Sequence, residues 1–453
     1  MLEMPISRTL NVDVVHDTRS VRRSRVACVV GHDIRFLPDA LESYRSKEWT
    51  PLAYDVMLVA AVVEFCDRSK PRGTIQWERA FHVRLPVHDV NRWTRNEVQT
   101  ELRIALHILT GDAWSFEFVL TDCPHSAPLQ SRFAFPMNSD TIVPYSDGLD
   151  SRAVAAVIER ERPGDTIPVR VGTKKPKRSE LANETGAFAY VPFTVTPLKP
   201  KHAESSGRSR GFKFAILSGL AAYLAGAKKI IVPESGQGTL GPILARAGQT
   251  HPDRRTHPQF TMKMARLFEL LFERGIAFEH PVLWLTKGQS LRRYRSIKPD
   301  ELIWQTTRSC WQDARTTTVD KVVRQCGICA ACMLRRTSLH AAGYAEPEAN
   351  YVCSDLAASD YAKANARKVT KRQRDYAIAG VLHMDHLADL ACPDRGRAAI
   401  NREASLLARV LDGSVDAYEG RILRLLEAHR DEWFAFVRSY GDQSFLRQWA
   451  VAV

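Results

Sequence analysis

Two stretches of this 453-residue chain carry residue types whose spacing does chemistry. In the first, residues 139–152, a β-prone run from Thr141 to Tyr145 feeds a turn of Ser146, Asp147 and Gly148. The turn opens into an apolar-periodic helix through Leu149, Val154, Ala155, Val157 and Ile158. Strand, small-residue turn and helix start in succession offer backbone N–H groups and the positive end of a helix dipole to a phosphate. The hydroxyls of Ser146 and Ser151 add donors, and Asp150 stands where a carboxylate could hold Mg2+ against phosphates. The lysine of a Walker loop and the repeated glycines of a dinucleotide fingerprint are both missing.

In the second stretch, Cys310 is followed after fifteen residues by Cys326, Cys329 and Cys332. Three cysteines at three-residue spacing reach one ion, and Gly327 allows the tight knuckle between them. Cys310 supplies a fourth ligand, which completes a closed tetrahedral zinc site of structural type. An iron–sulfur cluster would use the same ligands. The remaining cysteines, Cys28, Cys66, Cys123, Cys353 and Cys392, have no such company and are expected to be ordinary buried residues.

The elements that must position these groups follow from periodicity and punctuation. Residues 1–137 are expected to form an accessory α+β module. Its strand candidates are Arg25 to Val30, Asp55 to Phe65 and Phe116 to Thr121, with a helix from Asn96 to Leu109 closed by Gly111. From 138 to 345, strand and helix alternate. Strands are expected at Thr166 to Gly172, Phe188 to Val195 and Lys229 to Val232, and helices at Phe212 to Leu224 and Phe260 to Arg274. Such alternation implies a parallel sheet covered on both faces, with ligands at the carboxyl ends of its strands. Residues 346–453 are expected to be helical, with breaks near 393–396, Gly413 and Gly441. His383 and His386 are expected to be packing or surface histidines.

No run of about 18 apolar residues is present, so no membrane span is expected. An N-terminus without an apolar core and a cysteine pattern suited to a metal both fit a cytoplasmic protein. The net charge of +13 suits anionic partners, either a nucleotide in a basic cleft or nucleic acid. The densest basic cluster is Arg367, Lys368, Lys371, Arg372 and Arg374, and it is expected to be a solvated or partner-facing helix.

The 146–151 turn resembles the Ser-Gly-Gly-x-Asp-Ser loop of the ATP pyrophosphatase (PP-loop) superfamily, with Asp147 in place of a glycine. Loop plus cysteine pattern resembles the 7-cyano-7-deazaguanine synthase family, QueC, over about 138–340. Three further stretches agree in order: Ser209-Arg210-Gly211-Phe212-Lys213-Phe214, His251-Pro252-Asp253-Arg254-Arg255, and Leu285-Thr286-Lys287. The long build resembles QatC and its relatives in bacterial anti-phage defence clusters.

The resemblance implies an α/β fold with an adenine nucleotide alpha hydrolase-like core. It implies ATP as cosubstrate with Mg2+, structural zinc, and adenylation of 7-carboxy-7-deazaguanine before an amine attacks. Tyr145, Ser146, Asp147, Gly148, Leu149, Asp150, Ser151 and Lys213 would bind ATP and pyrophosphate. Asp150, Arg210 and Lys287 would be catalytic, and Glu234 and Asp253 would contact substrate. The amine would belong to a partner protein, QatB-like in that branch, or be ammonia, as in free-base synthesis. A PP-loop tRNA-modifying enzyme and a non-catalytic scaffold, the latter motivated by Asp147, are the other readings.

Overall fold

The computed structural model describes residues 9–37, 50–73, 77–121, 139–146, 148–170, 191–248 and 251–451. The chain forms two compact units. One comprises Met1–Tyr145, Arg162–Val232 and Arg254–Glu279; the other comprises Ser146–Glu161, Pro233–Asp253 and His280–Val453. The units interleave along the chain, whereas the divisions expected after residues 137 and 345 are sequential. No described helix is long and apolar enough to cross a membrane.

The first unit holds two four-stranded sheets, parallel throughout. In one, Thr9–Val15 lies between Val26–Val29 and Ala80–Val87, with Ala113–Leu120 outside the latter. In the other, the order is Ala277–Glu279, Lys229–Ile231, Thr141–Tyr145, Thr166–Arg170. The second sheet is doubly wound: its first strand, Thr141–Tyr145, pairs on one side with the next strand in the chain and on the other with Lys229–Ile231. Ligands of such sheets bind where the winding reverses. The two strands flanking that point lead along the chain directly into Ser146 and into Pro233-Glu234.

One hydrophobic core runs through both sheets. It includes Val83, Phe81 and Phe116 from the first sheet, Ile142, Val169 and Ile230 from the second, and Phe212, Phe260 and Phe268 from the helices that cover them. The expected strand at Asp55 to Phe65 is instead part of a helix, Pro51–Ser69. Thr50 caps its first turn and Pro51 occupies the position where a missing N–H costs nothing. Its apolar run is buried on almost every side, so the continuous hydrophobicity that mimicked a strand reflects a fully covered helix. The helix at Asn96–Thr110 is as expected, and Gly111 closes it at φ 66°.

The described part of the 188–195 stretch forms the strand Phe193–Val195. It pairs antiparallel with Ile34–Phe36 and stands outside the parallel sheets. Ala80–Val87 has a clean in–out burial alternation, but Pro86 and Arg84 disguised it in the sequence.

The second unit is mainly helical. Long helices at Lys371–Asp389, Pro393–Leu411 and Val415–Arg438 match the expected helical tail, although residues 346–370 contain only a short 3-10 turn. The break near 393–396 falls one step earlier than expected, because Gly396 lies inside a helix that starts at Pro393. Gly413 and Gly441 do lie between helices. Three apolar clusters tie this unit together, one around Trp433, Phe436 and Met384, one around Leu240, Leu387, Ile422 and Leu425, and one around Leu149, Leu291 and Leu339.

Candidate functional site

The 146–151 turn is held by its own hydroxyls. The Ser146 and Ser151 Oγ atoms are 2.9 Å apart, and the N–H groups of Ser146 and Gly148 donate to Ser151 Oγ and Ser146 Oγ at 3.2 Å each. Ser151 Oγ also lies 3.0 Å from the Ser146 carbonyl and 3.1 Å from that of Gly148. The helix Leu149–Glu161 starts here with Asp150 in its first turn, where the dipole favours a carboxylate. Leu149 anchors the turn in a core with Leu291, Tyr294 and Leu339. Asp147 lies outside the described residues.

Asp150 faces a lysine. Its Oδ2 is 2.6 Å from Lys287 Nζ, and Glu234 Oε1 is 3.9 Å from the same ammonium. Burial opposes the charge on Lys287, but the fields of Asp150 and Glu234 outweigh it and hold the ammonium above the usual lysine range. Glu234 lies beside the capped N-terminus of the helix Gly236–Leu244. A Cβ at Gly238 would stand 2.0 Å from its carboxylate, so a larger residue there would push the Glu234 side chain aside.

Lys287 is the first residue of the helix Lys287–Ile297, which begins with a complete capping box between Thr286 and Gln289. Around it lie groups that sequence spacing did not reveal. Gln237 Oε1 accepts the Lys287 N–H at 2.8 Å, and Gln237 Nε2 lies 2.7 Å from His429 Nδ1. Thr286 Oγ donates to Glu432 Oε1 at 2.7 Å. Fifty residues separate Gln237 from Lys287, 146 separate Thr286 from Glu432 and 192 separate Gln237 from His429, and no local pattern marks such pairs.

The four cysteines converge as expected, with the sulfurs of Cys310, Cys326, Cys329 and Cys332 all within 4.8 Å of one another. Cys326 and Cys332 sulfurs are 3.8 Å apart, the edge of a tetrahedron with metal–sulfur bonds of about 2.3 Å. Backbone N–H groups of Gln312, Cys326 and Cys329 point at these sulfurs at 3.4, 3.2 and 3.3 Å. Gly327 takes φ 85°, and a Cβ there would meet the Cys353 carbonyl oxygen at 2.6 Å.

Hydrogen bonds from the other three cysteines hold Cys310 far below its usual thiol range, while burial pushes Cys329 and Cys332 well above theirs. Four sulfurs this close together match the ligand set of structural zinc, whose positive charge would hold all four as thiolates. Arg335, fully buried, clamps Glu346 at 2.9 Å and also reaches Thr307 and the Trp304 carbonyl, fixing the segment that delivers Cys310.

Of the other expected site residues, Tyr145 ends its strand with the Arg170 guanidinium 6.0 Å from its ring. Lys213 belongs to the first unit and pairs with Glu64 at 2.8 Å. Arg210, also there, stacks on Phe214. Asp253 is half-buried in the second unit, in a segment without regular structure. Cys28, Cys66 and Cys353 are buried as expected, but Cys392, just before the helix Pro393–Leu411, is exposed; Cys123 lies outside the described residues. His383 is a packing histidine, buried and pushed down to about 4.

The family model described as queuosine biosynthesis protein QueC matches residues 240–343. This stretch is QueC-like. It contains Lys287 and all four cysteines, while the 146–151 turn and Glu234 precede it along the chain. The match supports a PP-loop, ATP-using character, and no curated protein matches the chain.

Proposed function

We propose that this protein is an ATP-dependent ligase that adenylates a 7-deazaguanine carboxylate and joins it to an amine on a partner protein. The observation that carries this reading is the Asp150–Lys287–Glu234 cluster beside a serine-lined turn at a helix start. The carboxylate oxygen attacks the α-phosphorus of ATP, the α–β phosphoanhydride P–O bond breaks, and pyrophosphate leaves. The amine nitrogen then attacks the acyl carbon, AMP departs with the acyl–oxygen electron pair, and the amine proton passes to solvent.

Ser146, Gly148 and Ser151 would exchange their mutual hydrogen bonds for phosphate oxygens. Lys287, held charged, would offset the negative charge that grows on the leaving pyrophosphate. Asp150 would hold Lys287 and supply the carboxylate for Mg2+, which when bound screens the phosphates. Glu234 and Asp253 are assigned to base or nucleotide contacts. The cysteines would hold zinc in a structural role.

Ammonia needs no docking surface, whereas a protein acceptor does, and the long segments outside the QueC-like stretch favour the latter. The resemblance of the long build to QatC is what supports a role for such a reaction in anti-phage defence. Mass spectrometry of a candidate partner after incubation with ATP and 7-carboxy-7-deazaguanine tests the reading. An adduct abolished by Asp150→Ala is expected; free nitrile made from ammonia with no adduct would assign the chemistry to free-base synthesis instead.

A further inference from the structure

We infer that His429 and Glu432, on the C-terminal helix Val415–Arg438, are positioning residues for Lys287. The Met384 carbonyl can only accept, so His429 Nε2, 2.9 Å away, carries the proton. His429 Nδ1 is then an acceptor and takes a hydrogen from Gln237 Nε2. That turns Gln237 Oε1 toward Lys287, where it accepts the backbone N–H. Each link has one orientation, and each group is buried, His429 completely so. The Lys287 N–H is one of the donors that a helix start leaves without an intrahelical partner.

Glu432 acts on the residue before. Its Oε1 accepts a hydrogen bond from the Thr286 hydroxyl, which leaves the Thr286 oxygen to accept the Gln289 N–H at 3.0 Å and cap the helix. A Cβ at Gly288 would lie 2.4 Å from Glu432 Oε1, so the carboxylate lies directly on the helix start. One downstream helix, outside the QueC-like stretch, thus holds the Thr286 hydroxyl directly and the Lys287 N–H through Gln237. Its effect is to set where the ammonium stands against Asp150 and Glu234. The helical tail completes the catalytic site rather than merely adjoining it.

The kinetic side of this inference rests on the adenylation reading; the geometric side does not. The test compares His429→Leu and Glu432→Leu with His429→Asn and Glu432→Gln. Asparagine places an acceptor near the Nδ1 position, and glutamine still accepts from Thr286. Readouts are ATP–pyrophosphate exchange with 7-carboxy-7-deazaguanine, zinc content, thermal unfolding, and the rate of reductive methylation of Lys287 followed by mass spectrometry.

The leucine variants are expected to keep zinc and a cooperative melt while kcat falls roughly 100-fold with KM for ATP little changed. Lys287 labelling should accelerate, and the conservative variants should recover most of both properties. Should the leucine variants not fold, Gln237→Met, which cuts the same link with volume kept, carries the same expectation. Unchanged kcat and unchanged Lys287 protection in these variants would overturn the inference, as would conservative variants no better than leucine. A wild-type protein without exchange would remove the adenylation reading, and Lys287 labelling would still judge the positioning.

Discussion

Lys287 Nζ lies 2.6 Å from Asp150 Oδ2, a contact between residues 137 positions apart that share no local sequence pattern (287 − 150). Glu234 Oε1 lies 3.9 Å from the same ammonium, so one positive charge offsets part of the charge of two partly buried carboxylates. Replacing it by methionine leaves both acids facing an apolar side chain. Lys287→Met is expected to abolish ATP–pyrophosphate exchange and lower the melting temperature. Lys287→Arg should not restore exchange, because a planar guanidinium does not reproduce a point charge in a site sized for ammonium. Exchange kinetics and thermal denaturation check both; full activity in Lys287→Met would remove the lysine from the mechanism.

Removal of the metal should act on folding. The cysteine cluster joins the 310 segment to the helix Ala330–Ala341, and the binding free energy of a zinc ion held there would be spent on that closure. Cys329→Ser, or chelation by EDTA on warming, is expected to remove zinc and lower the melting temperature. Elemental analysis beside a thermal melt measures the two together. Zinc retained at wild-type level in Cys329→Ser would show that the ion is held elsewhere.

Gly380 marks where the helical tail meets the cysteine knuckle. A Cβ there would stand 2.3 Å from the Ile328 carbonyl oxygen and 2.9 Å from the Ala330 nitrogen, backbone atoms that cannot swing aside. Gly380→Ala should cost about 1–3 kcal/mol by overpacking. Gly420, inside the helix Val415–Arg438, has only the Arg424 guanidinium at 3.6 Å, so Gly420→Ala should instead stabilise by about 0.5–1 kcal/mol. Denaturant titration of the pair reads both signs.

Buried titratable groups give stability a pH signature. Burial lowers His383 and His429 from 6.5 to about 4, so the unfolded chain takes their protons first. Their contribution is complete above pH 6.5 and is lost as pH falls toward 4. Glu432 behaves oppositely. Burial raises it from 4.5 to about 7 despite the Thr286 hydroxyl and the Arg292 guanidinium, with Asp431 adding to the rise. The native state keeps that proton when the unfolded chain has lost it, so this contribution is complete below 4.5 and lost as pH rises to 7. Melting temperature against pH should therefore flatten on the acid side in His429→Asn and on the neutral side in Glu432→Gln.

Much of this site was legible because its chemistry is local. Four cysteines at metal-ligand spacing with Gly327 between them needed no knowledge of the fold, and the serine turn followed by a periodic helix announced its own geometry. Lys287 was visible through a short tripeptide but not its partner. Gln237, His429 and Glu432 were invisible, since hydrogen bonds across 50, 146 and 192 residues leave no period in the chain. In the fold, helices with one apolar face and a glycine stop, such as Asn96–Thr110, were read correctly. Pro51–Ser69 was mistaken for a strand because complete burial erased its helical period. The short strand Ala277–Glu279 offers only three residues, too few for alternation to show.

Carboxylate-dependent ATP–pyrophosphate exchange tests the central claim most directly. With ATP, labelled pyrophosphate and 7-carboxy-7-deazaguanine, label should enter ATP only when the carboxylate is present, and Asp150→Ala should abolish it. Exchange that proceeds equally without the carboxylate, or no exchange in a zinc-loaded and folded protein, would contradict adenylation at this site.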